Sequence, residues 1–490
     1  MSEKASKIYP WVVVGLLSVV AFLNYLDRQM LSTMQAAIGV DIAELQHAQN
    51  FGRLMAIFLW VYAVVSPFAG SIADRLSRKW LIVGSLGVWS LVTLLMGHCQ
   101  TFAQMFWLRG LMGVSEALYI PSSLSLIADY HAGKSRSLAV GLHMTGLYLG
   151  QAVGGFGAIF ASALSWRMTF HWFGIVGVLY ALVLVFFLRE KRVREMPDQV
   201  GHDAAGGGYV AGDGDAVGKG GAAGGGYVAG DGAAVGKGGA AGGGYVAGDG
   251  AAVGKGGAGG GYVAGDGAAV GKGGAAVGRK AVIPGRDRES LWRSFGLIFS
   301  NIAFWVILFF FASTSLPGWA TKNWLPTLFA QHIDGGMAVA GPVATITIAV
   351  ASFLGVMIGG PLSDRWVLRN LRGRIYTSAI GLGLMIPALL LMGLGKGLVP
   401  AVASGLIFGL GYGMFDTNNM PILCQFVPSR LRATAYGLMN MVGVAMGALC
   451  TQLLGRIPNL GLSFAVLGGV TALALILQLT ILRPTTDDMK

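Results

Sequence analysis

Apolar residues along the chain gather into blocks, and a block of about 20 can cross a bilayer as one helix. Twelve such blocks lie at roughly 10–34, 50–72, 80–99, 103–127, 137–160 and 168–188, then 300–328, 338–362, 374–395, 398–425, 434–455 and 462–482. The first block follows Lys4 and Lys7, as a signal peptide would. It continues through Asn24-Tyr25-Leu26-Asp27-Arg28 to Met34 without a small-residue cleavage site, so it reads as a helix. The pattern predicts an all-α membrane protein with an N-terminal six-helix bundle over 1–188, a hydrophilic segment over 189–295, and a C-terminal six-helix bundle over 296–490.

The hydrophilic segment opens with Arg189, Lys191, Arg192 and Arg194 and then becomes a glycine-rich repeat. Tyr209, Tyr227, Tyr245 and Tyr262 mark four copies at spacings of 18, 18 and 17. Such a period can signal a solenoid. Each copy, however, offers only a tyrosine and a few valines to bury, against the ordering entropy of many glycines. A flexible cytoplasmic tether is therefore expected.

Composition narrows the class. The chain is 54% hydrophobic and 12% charged, where a soluble protein carries about 25% charged residues. That excludes an ordinary soluble enzyme and a disordered chain. The net charge of +12 fits loops at a cytoplasmic membrane face, so no nucleic-acid partner is implied. Cys99, Cys424 and Cys450 are scattered and odd in number, and the histidines show no ligand spacing, so neither a disulfide framework nor a metal site is expected. Arg75, Arg78 and Lys79 follow the second block, Arg365, Arg369, Arg372 and Arg374 the eighth, and Arg430 and Arg432 the tenth. They share a side with both termini and the repeat segment, which marks that side as cytoplasmic.

Three patterns recur at matching blocks of the two halves. Gly70-Ser71-Ile72-Ala73-Asp74-Arg75 is echoed by Gly360-Pro361-Leu362-Ser363-Asp364-Arg365. Glu116 precedes Pro121 as Asp416 precedes Pro421, and Arg136-x-x-Ala139-x-Gly141 is echoed by Arg432-x-x-Ala435-x-Gly437. The halves are therefore homologous. Gly70-x-x-x-Asp74-Arg75-x-Ser77-Arg78-Lys79 resembles the signature loop of the major facilitator superfamily, with Ser77 where glycine is usual. Arg109-x-x-x-Gly113 and Gly146-x-x-x-Gly150-x-x-x-Gly154-Gly155 resemble its motifs in the fourth and fifth helices, with Gln151 where proline is usual. The resemblance covers both bundles and not the repeats. It implies a secondary transporter whose midplane site lies between two rocking bundles.

Within the superfamily, Asn24-Tyr25-Leu26-Asp27-Arg28, Arg109…Glu116…Pro121 and Trp324-Leu325-Pro326 resemble the anion:cation symporter family of galactonate and hexuronate permeases. That resemblance implies organic anions carried with protons. The Spinster group of lysolipid carriers shares the Asp-Arg pair and the Arg…Glu spacing, but its proline usually sits further from the glutamate.

Charges stranded in apolar blocks carry the chemistry, because each costs at least about 2.5–3.5 kcal/mol at the bilayer centre. Asp27, Arg28, Arg109, Glu116 and Asp416 are so placed. Asp27 and Arg28 point about 100° apart on a helix and face different partners. Arg28 suits a carboxylate through its planar fork, while Asp27 and Glu116 can carry protons. Arg109 lies two turns from Glu116 on one helix face and is read as tuning it or gating. The alternative for each is a fixed ion pair or a packing role. Asp416, Asn418 and Asn419 make a polar cluster suited to polyol hydroxyls, with interhelical bonding or a cation site as alternatives. Tyr25, Tyr119, Gln151, Asn323 and Trp324 are cavity candidates, although a single aromatic more often packs. His143 reads as a satisfied core histidine. Asp74, Arg75, Arg78, Asp364 and Arg365 are expected to gate as a cytoplasmic latch.

No Gly-x-Ser-x-Gly, metal-ligand run or Walker loop is present. These absences argue against a membrane-embedded hydrolase, the alternative of another class, and against an ATP-driven pump. A receptor would want a folded output domain. The expected protein is not an enzyme. It is a monomeric, multi-pass carrier of the cell membrane, a bacterial inner membrane by preference, that brings in a small organic anion such as a sugar acid with a proton. No cofactor is expected; sodium is the alternative coupling ion and a lysolipid-type amphiphile the alternative cargo.

Overall fold

The computed structural model describes residues 3–131, 136–190, 299, 302–427 and 432–483, together with eight strands of the repeat segment. Two units separate: Met1–Lys191 with Gly296–Lys490, and Arg192–Phe295.

In the first unit the N-terminal half comprises α1 (Glu3–Thr33), α2 (Gln35–Asp41), α3 (Ala48–Arg75), α4 (Arg78–Met96), α5 (Phe102–Ala117), α6 (Tyr119–Tyr130), α7 (Arg136–Gly154), α8 (Gly157–Leu164) and α9 (Trp166–Phe187). The C-terminal half comprises α10 (Ile302–Ala330), α11 (Gly336–Val367), α12 (Gly373–Leu394), α13 (Leu398–Asp416), α14 (Asn419–Phe426), α15 (Arg432–Leu454) and α16 (Leu460–Ile481). Among the described residues eleven stretches are long and apolar enough to span a membrane, and α7 with α8, bent by 53°, makes the twelfth. The spans fall within a few residues of the twelve apolar blocks.

Two spans that read as continuous in sequence are interrupted. Proline lacks an N–H and crowds the carbonyl four residues back. Pro121 thus releases the carbonyl of Ala117, and Pro421 that of Thr417. The chain answers with tighter turns, Leu118 N–H to the Ser115 carbonyl at 3.3 Å and Asn418 N–H to the Phe415 carbonyl at 3.0 Å. Each acid of the repeated pattern, Glu116 and Asp416, ends up in the last turn before a break.

Glycines let α7 lie directly against α1. Gly146 and Gly150 of α7 lie against the backbone carbonyls of Ser18 and Phe22 on α1, where any Cβ would overlap oxygen, and Gly154 lies against Leu26 and Gln29. Their spacing of four puts them on one face, which is how helices approach closely in lipid. The halves meet in the same way at the end away from the chain termini. Gly155 faces Gly341, Gly455 faces the Ala48 carbonyl, and Thr345 donates to the Ala152 carbonyl at 3.1 Å. Nearer the termini Asn440 donates to Ser66 at 2.8 Å.

The second unit departs from the expected tether. It forms β1 (Gly208–Ala211), β2 (Ala216–Gly220), β3 (Ala223–Ala229), β4 (Ala234–Gly238), β5 (Ala241–Val246), β6 (Ala252–Lys255), β7 (Gly261–Val263) and β8 (Ala269–Lys272). Odd strands make one parallel sheet and even strands another. Each residue pairs with its equivalent in the next copy, Tyr209 with Tyr227, Tyr245 and Tyr262, and Lys219 with Lys237, Lys255 and Lys272. Weighing only buried side chains missed the backbone: identical copies stacked in register satisfy one another's N–H and C=O groups.

Candidate functional site

Arg28 leaves α1 five residues before its end, and its Nε donates to Oε2 of Glu116 at the end of α5. Glu116 is fully buried and its other carboxylate oxygen has no hydrogen-bond partner. Tyr25, Phe58 and Tyr62 surround the Arg28 guanidinium, their ring centroids 5.1, 4.6 and 5.1 Å from it. Rings at this distance favour a desolvated cation. The Arg109 guanidinium also lies over Phe58, at 4.5 Å. It is buried, one nitrogen reaches the Met112 sulfur at 2.8 Å, and its Nε is unpartnered. Glu116 therefore pairs with Arg28 across helices, whereas the sequence had set it beside Arg109 on one helix face.

Asp27 turns away from Arg28, as adjacent helical positions must. It accepts from the Thr93 hydroxyl of α4 at 3.3 Å and lies within electrostatic reach of Glu116 and Arg109.

From the other half comes Lys322, which sequence reasoning missed. Its ammonium lies over Trp319 at 4.8 Å and Tyr412 at 5.6 Å. Arg28, Arg109 and Lys322 line one cavity with Tyr25, Gln29, Gln151, Asn323 and an apolar wall of Met55, Phe58, Leu59 and Trp319. No carboxylate is among the lining residues.

Asp416 lies in the last turn of α13 and is exposed, although its helix lies within a span. Asn419 donates to it at 3.2 Å, and Lys322, Tyr25, Tyr148 and Tyr436 are within its electrostatic reach. Those neighbours come from both halves.

Some candidates prove structural. Tyr119 is fully buried, donates to the Leu17 carbonyl at 2.8 Å and meets Trp89 edge to face, so it does not reach the cavity. Asn418 is buried with its amide on the Met414 carbonyl at 2.8 Å; it caps the helix break instead of facing cargo. Trp324 is buried, donates to the Thr451 carbonyl at 2.9 Å and packs on Phe51. Asn323 lines the cavity while bonding to the Thr451 hydroxyl at 2.9 Å. His143 is buried beside Ser123, 3.5 Å away.

At the end carrying the termini, the side chains of Asp74 and Arg75 lie outside the described residues. Arg78 pairs with Asp129. The acid at the α4 N-terminus is Glu190, which accepts from the Ser77 hydroxyl and from the Arg78 N–H at 2.9 Å; a carboxylate there meets the helix dipole and free N–H groups. The bundle therefore extends past residue 188. Asp364 lies 3.8 Å from Arg374 of the next helix, not from its neighbour Arg365, which is exposed.

A family model for the Major Facilitator Superfamily matches residues 17–451. The chain belongs to that superfamily. It is a multi-pass membrane protein of a transporter family. Protein spinster homolog 1 of Homo sapiens is 30% identical over 187 residues, 36% of this chain and 34% of that protein. The Sphingosine-1-phosphate transporter SPNS2 of Xenopus tropicalis is 28% identical over 203 residues, 38% of each chain. The "Probable galactarate/D-glucarate transporter GudP" of Escherichia coli (strain K12) is 26% identical over 197 residues, 38% of this chain and 43% of that one. The matched stretch is thus well under half the length of these relatives. Among solved structures, a bacterial homologue of the human lysosomal transporter Spinster, inward-facing and occupied, superposes with a TM-score of 0.64 at 17% identity over 98% of both chains. The nucleoside transporter NupG gives 0.60 at 13% identity, covering 95% of this chain and 98% of that one. These likenesses are of fold.

Proposed function

We propose that this superfamily member is a proton-coupled symporter importing a small organic anion, with a sugar acid such as an aldonate or hexuronate as cargo. The observation that carries the reading is the Arg28–Glu116 pair at the wall of a cation-lined cavity. An entering carboxylate competes with Glu116 for the Arg28 fork. The displaced acid, buried and with no other partner, accepts a proton. Cargo and proton thus load together. Asp27 is the second proton carrier, and Gln151 and Asn323 present amides to hydroxyls. The bundles rock about the glycine contacts to release both. Proton coupling is chosen over sodium because a lone paired acid offers few oxygens for a metal ion. The chain works as a monomer in the cell membrane, a bacterial inner membrane by preference, with termini and repeats cytoplasmic, following its positive loops. It needs no cofactor.

A second reading, a Spinster-like carrier of lysolipids, is favoured by the 30% identity to Spinster relatives. The cavity weighs against it. Three cations and the amides of Gln151 and Asn323, drawn from both halves, suit a small polar anion, while the wall of Met55, Phe58, Leu59 and Trp319 is the part that an acyl tail would use.

The test is a thermal-shift screen of purified protein with sugar acids and lysolipids, since a binder raises apparent stability by mass action, followed by proteoliposome uptake under an imposed pH gradient. Glu116→Gln is expected to exchange substrate across the membrane but not to concentrate it. Concentrative uptake by that variant would remove Glu116 from the coupling role.

A further inference from the structure

The strand array has two ends, and the two ends match. Its sheets run β1-β3-β5-β7 and β2-β4-β6-β8. Every interior strand is paired on both sides, while β1 and β2 at one end and β7 and β8 at the other are paired on one side only. Among the described residues nothing pairs with the outer sides of these four strands. A strand with an open side presents a row of N–H and C=O groups, a template for another strand. Stacked-repeat proteins close such ends with atypical capping copies. Here the terminal strands carry the interior sequence instead. Gly208-Tyr209-Val210 at one end recurs as Gly261-Tyr262-Val263 at the other, and Ala216-Val217-Gly218-Lys219 recurs as Ala269-Val270-Gly271-Lys272. None of the four contains a proline, which would remove a ladder donor.

We propose that the array is a self-association module: the β7/β8 end of one molecule stacks in parallel on the β1/β2 end of a second copy of this chain. The register selects that occupant. Within one chain Gly244-Tyr245-Val246 pairs with Gly261-Tyr262-Val263, and Ala252-Val253-Gly254-Lys255 pairs with Ala269-Val270-Gly271-Lys272. The β1/β2 end of a second copy offers the next set of the same residues in the same order. The ladder between molecules is therefore the ladder within one, continued. Tyr209 of the second copy falls in the column of Tyr262, and Lys219 in the column of Lys272. Like charges on neighbouring strands oppose stacking. That opposition is already met inside the chain, at Lys219–Lys237, Lys237–Lys255 and Lys255–Lys272. The contact joins two different ends and leaves one end of each molecule open, so it is heterologous and extends into rows. Each molecule keeps its own cavity, so transport stays the work of one chain, and the assignment does not depend on what is carried.

The experiment is a cysteine cross-link of the full chain in proteoliposomes. Val210 and Val263 occupy one column of the odd sheet. Within a chain they are three strand spacings apart, about 14 Å, beyond the roughly 4.4–6.8 Å between Cα atoms that a disulfide spans. Across the proposed junction they are one spacing apart, about 4.8 Å. On mild oxidation the Val210→Cys/Val263→Cys double variant is expected to give a ladder of dimers, trimers and longer multimers on a non-reducing gel, above the background of the parent with its native cysteines. A mixture of the two single variants is expected to stop at linked dimers, and either single variant alone to match the parent. The ladder is expected to persist when one interior copy, residues 227–244, is deleted from the double variant, because both ends remain. A double variant that matches the parent, or cross-linking by Val210→Cys alone, overturns the head-to-tail assignment. A second measurement needs no cysteine variant. By light scattering in detergent the parent is expected to gain mass as its concentration rises, and the chain lacking residues 208–272 to hold the mass of one chain. A parent that holds the mass of one chain throughout, or growth that survives the deletion, overturns the proposal as well.

Discussion

Arg28 and Glu116 come from helices far apart in sequence, and on the proposed function their pairing would join anion binding to proton uptake in one contact. Neither side chain announces its partner, but both announce a cost, because a charge in an apolar block must be paired or used. That is why Asp27, Arg28, Arg109, Glu116 and Asp416 were legible as a group. Lys322 was not. It lies eight residues from the end of α10, where a lysine ordinarily snorkels to the interface, and only packing shows it turned into the cavity. Tyr119 failed for the opposite reason. It was a cavity candidate of a kind that more often packs, and its hydroxyl is spent on the Leu17 carbonyl. Tyr119→Phe is therefore expected to cost about 1 kcal/mol of stability, seen as a lower melting temperature, with no change in the KM of uptake. A raised KM at unchanged melting temperature would return Tyr119 to the site.

At the scale of elements, the two proline breaks and the glycine face of α7 follow from local chemistry. Proline removes a donor, and glycine removes the Cβ that would keep α1 and α7 apart. The repeat array shows the limit of such reasoning. Its composition argues for a tether, while its strict period lets each copy bond to the next. The two are hard to tell apart in sequence, because backbone pairing leaves no side-chain signature. The array forms a unit of its own. Deleting two copies is accordingly expected to leave the uptake rate within about twofold of the parent, measured on protein shown to insert correctly; loss of transport would give the array a part in the cycle.

For the whole molecule, the halves close at the end away from the termini through small residues, Gly155 on Gly341 and Gly455 on Ala48. Alternating access requires this contact to form and break. A side chain at Gly341 would meet the Gly155 carbonyl. Gly341→Val is thus expected to destabilise the closed form by about 1–3 kcal/mol, the usual cost of overpacking. Substrate-stimulated uptake should fall while accessibility of the cavity to impermeant reagents from that end rises. Unchanged accessibility would show that closure does not depend on this contact.

Span number, the duplication of the halves and five of the costly charges were determined by the sequence alone, because each reflects how a segment or side chain fares in lipid wherever its neighbours lie. Which acid meets which base, which tyrosine is structural, that Lys322 completes the cavity, and that the repeats stack were decided only in three dimensions. These depend on contacts between residues tens to hundreds of positions apart, and no local preference encodes such a meeting.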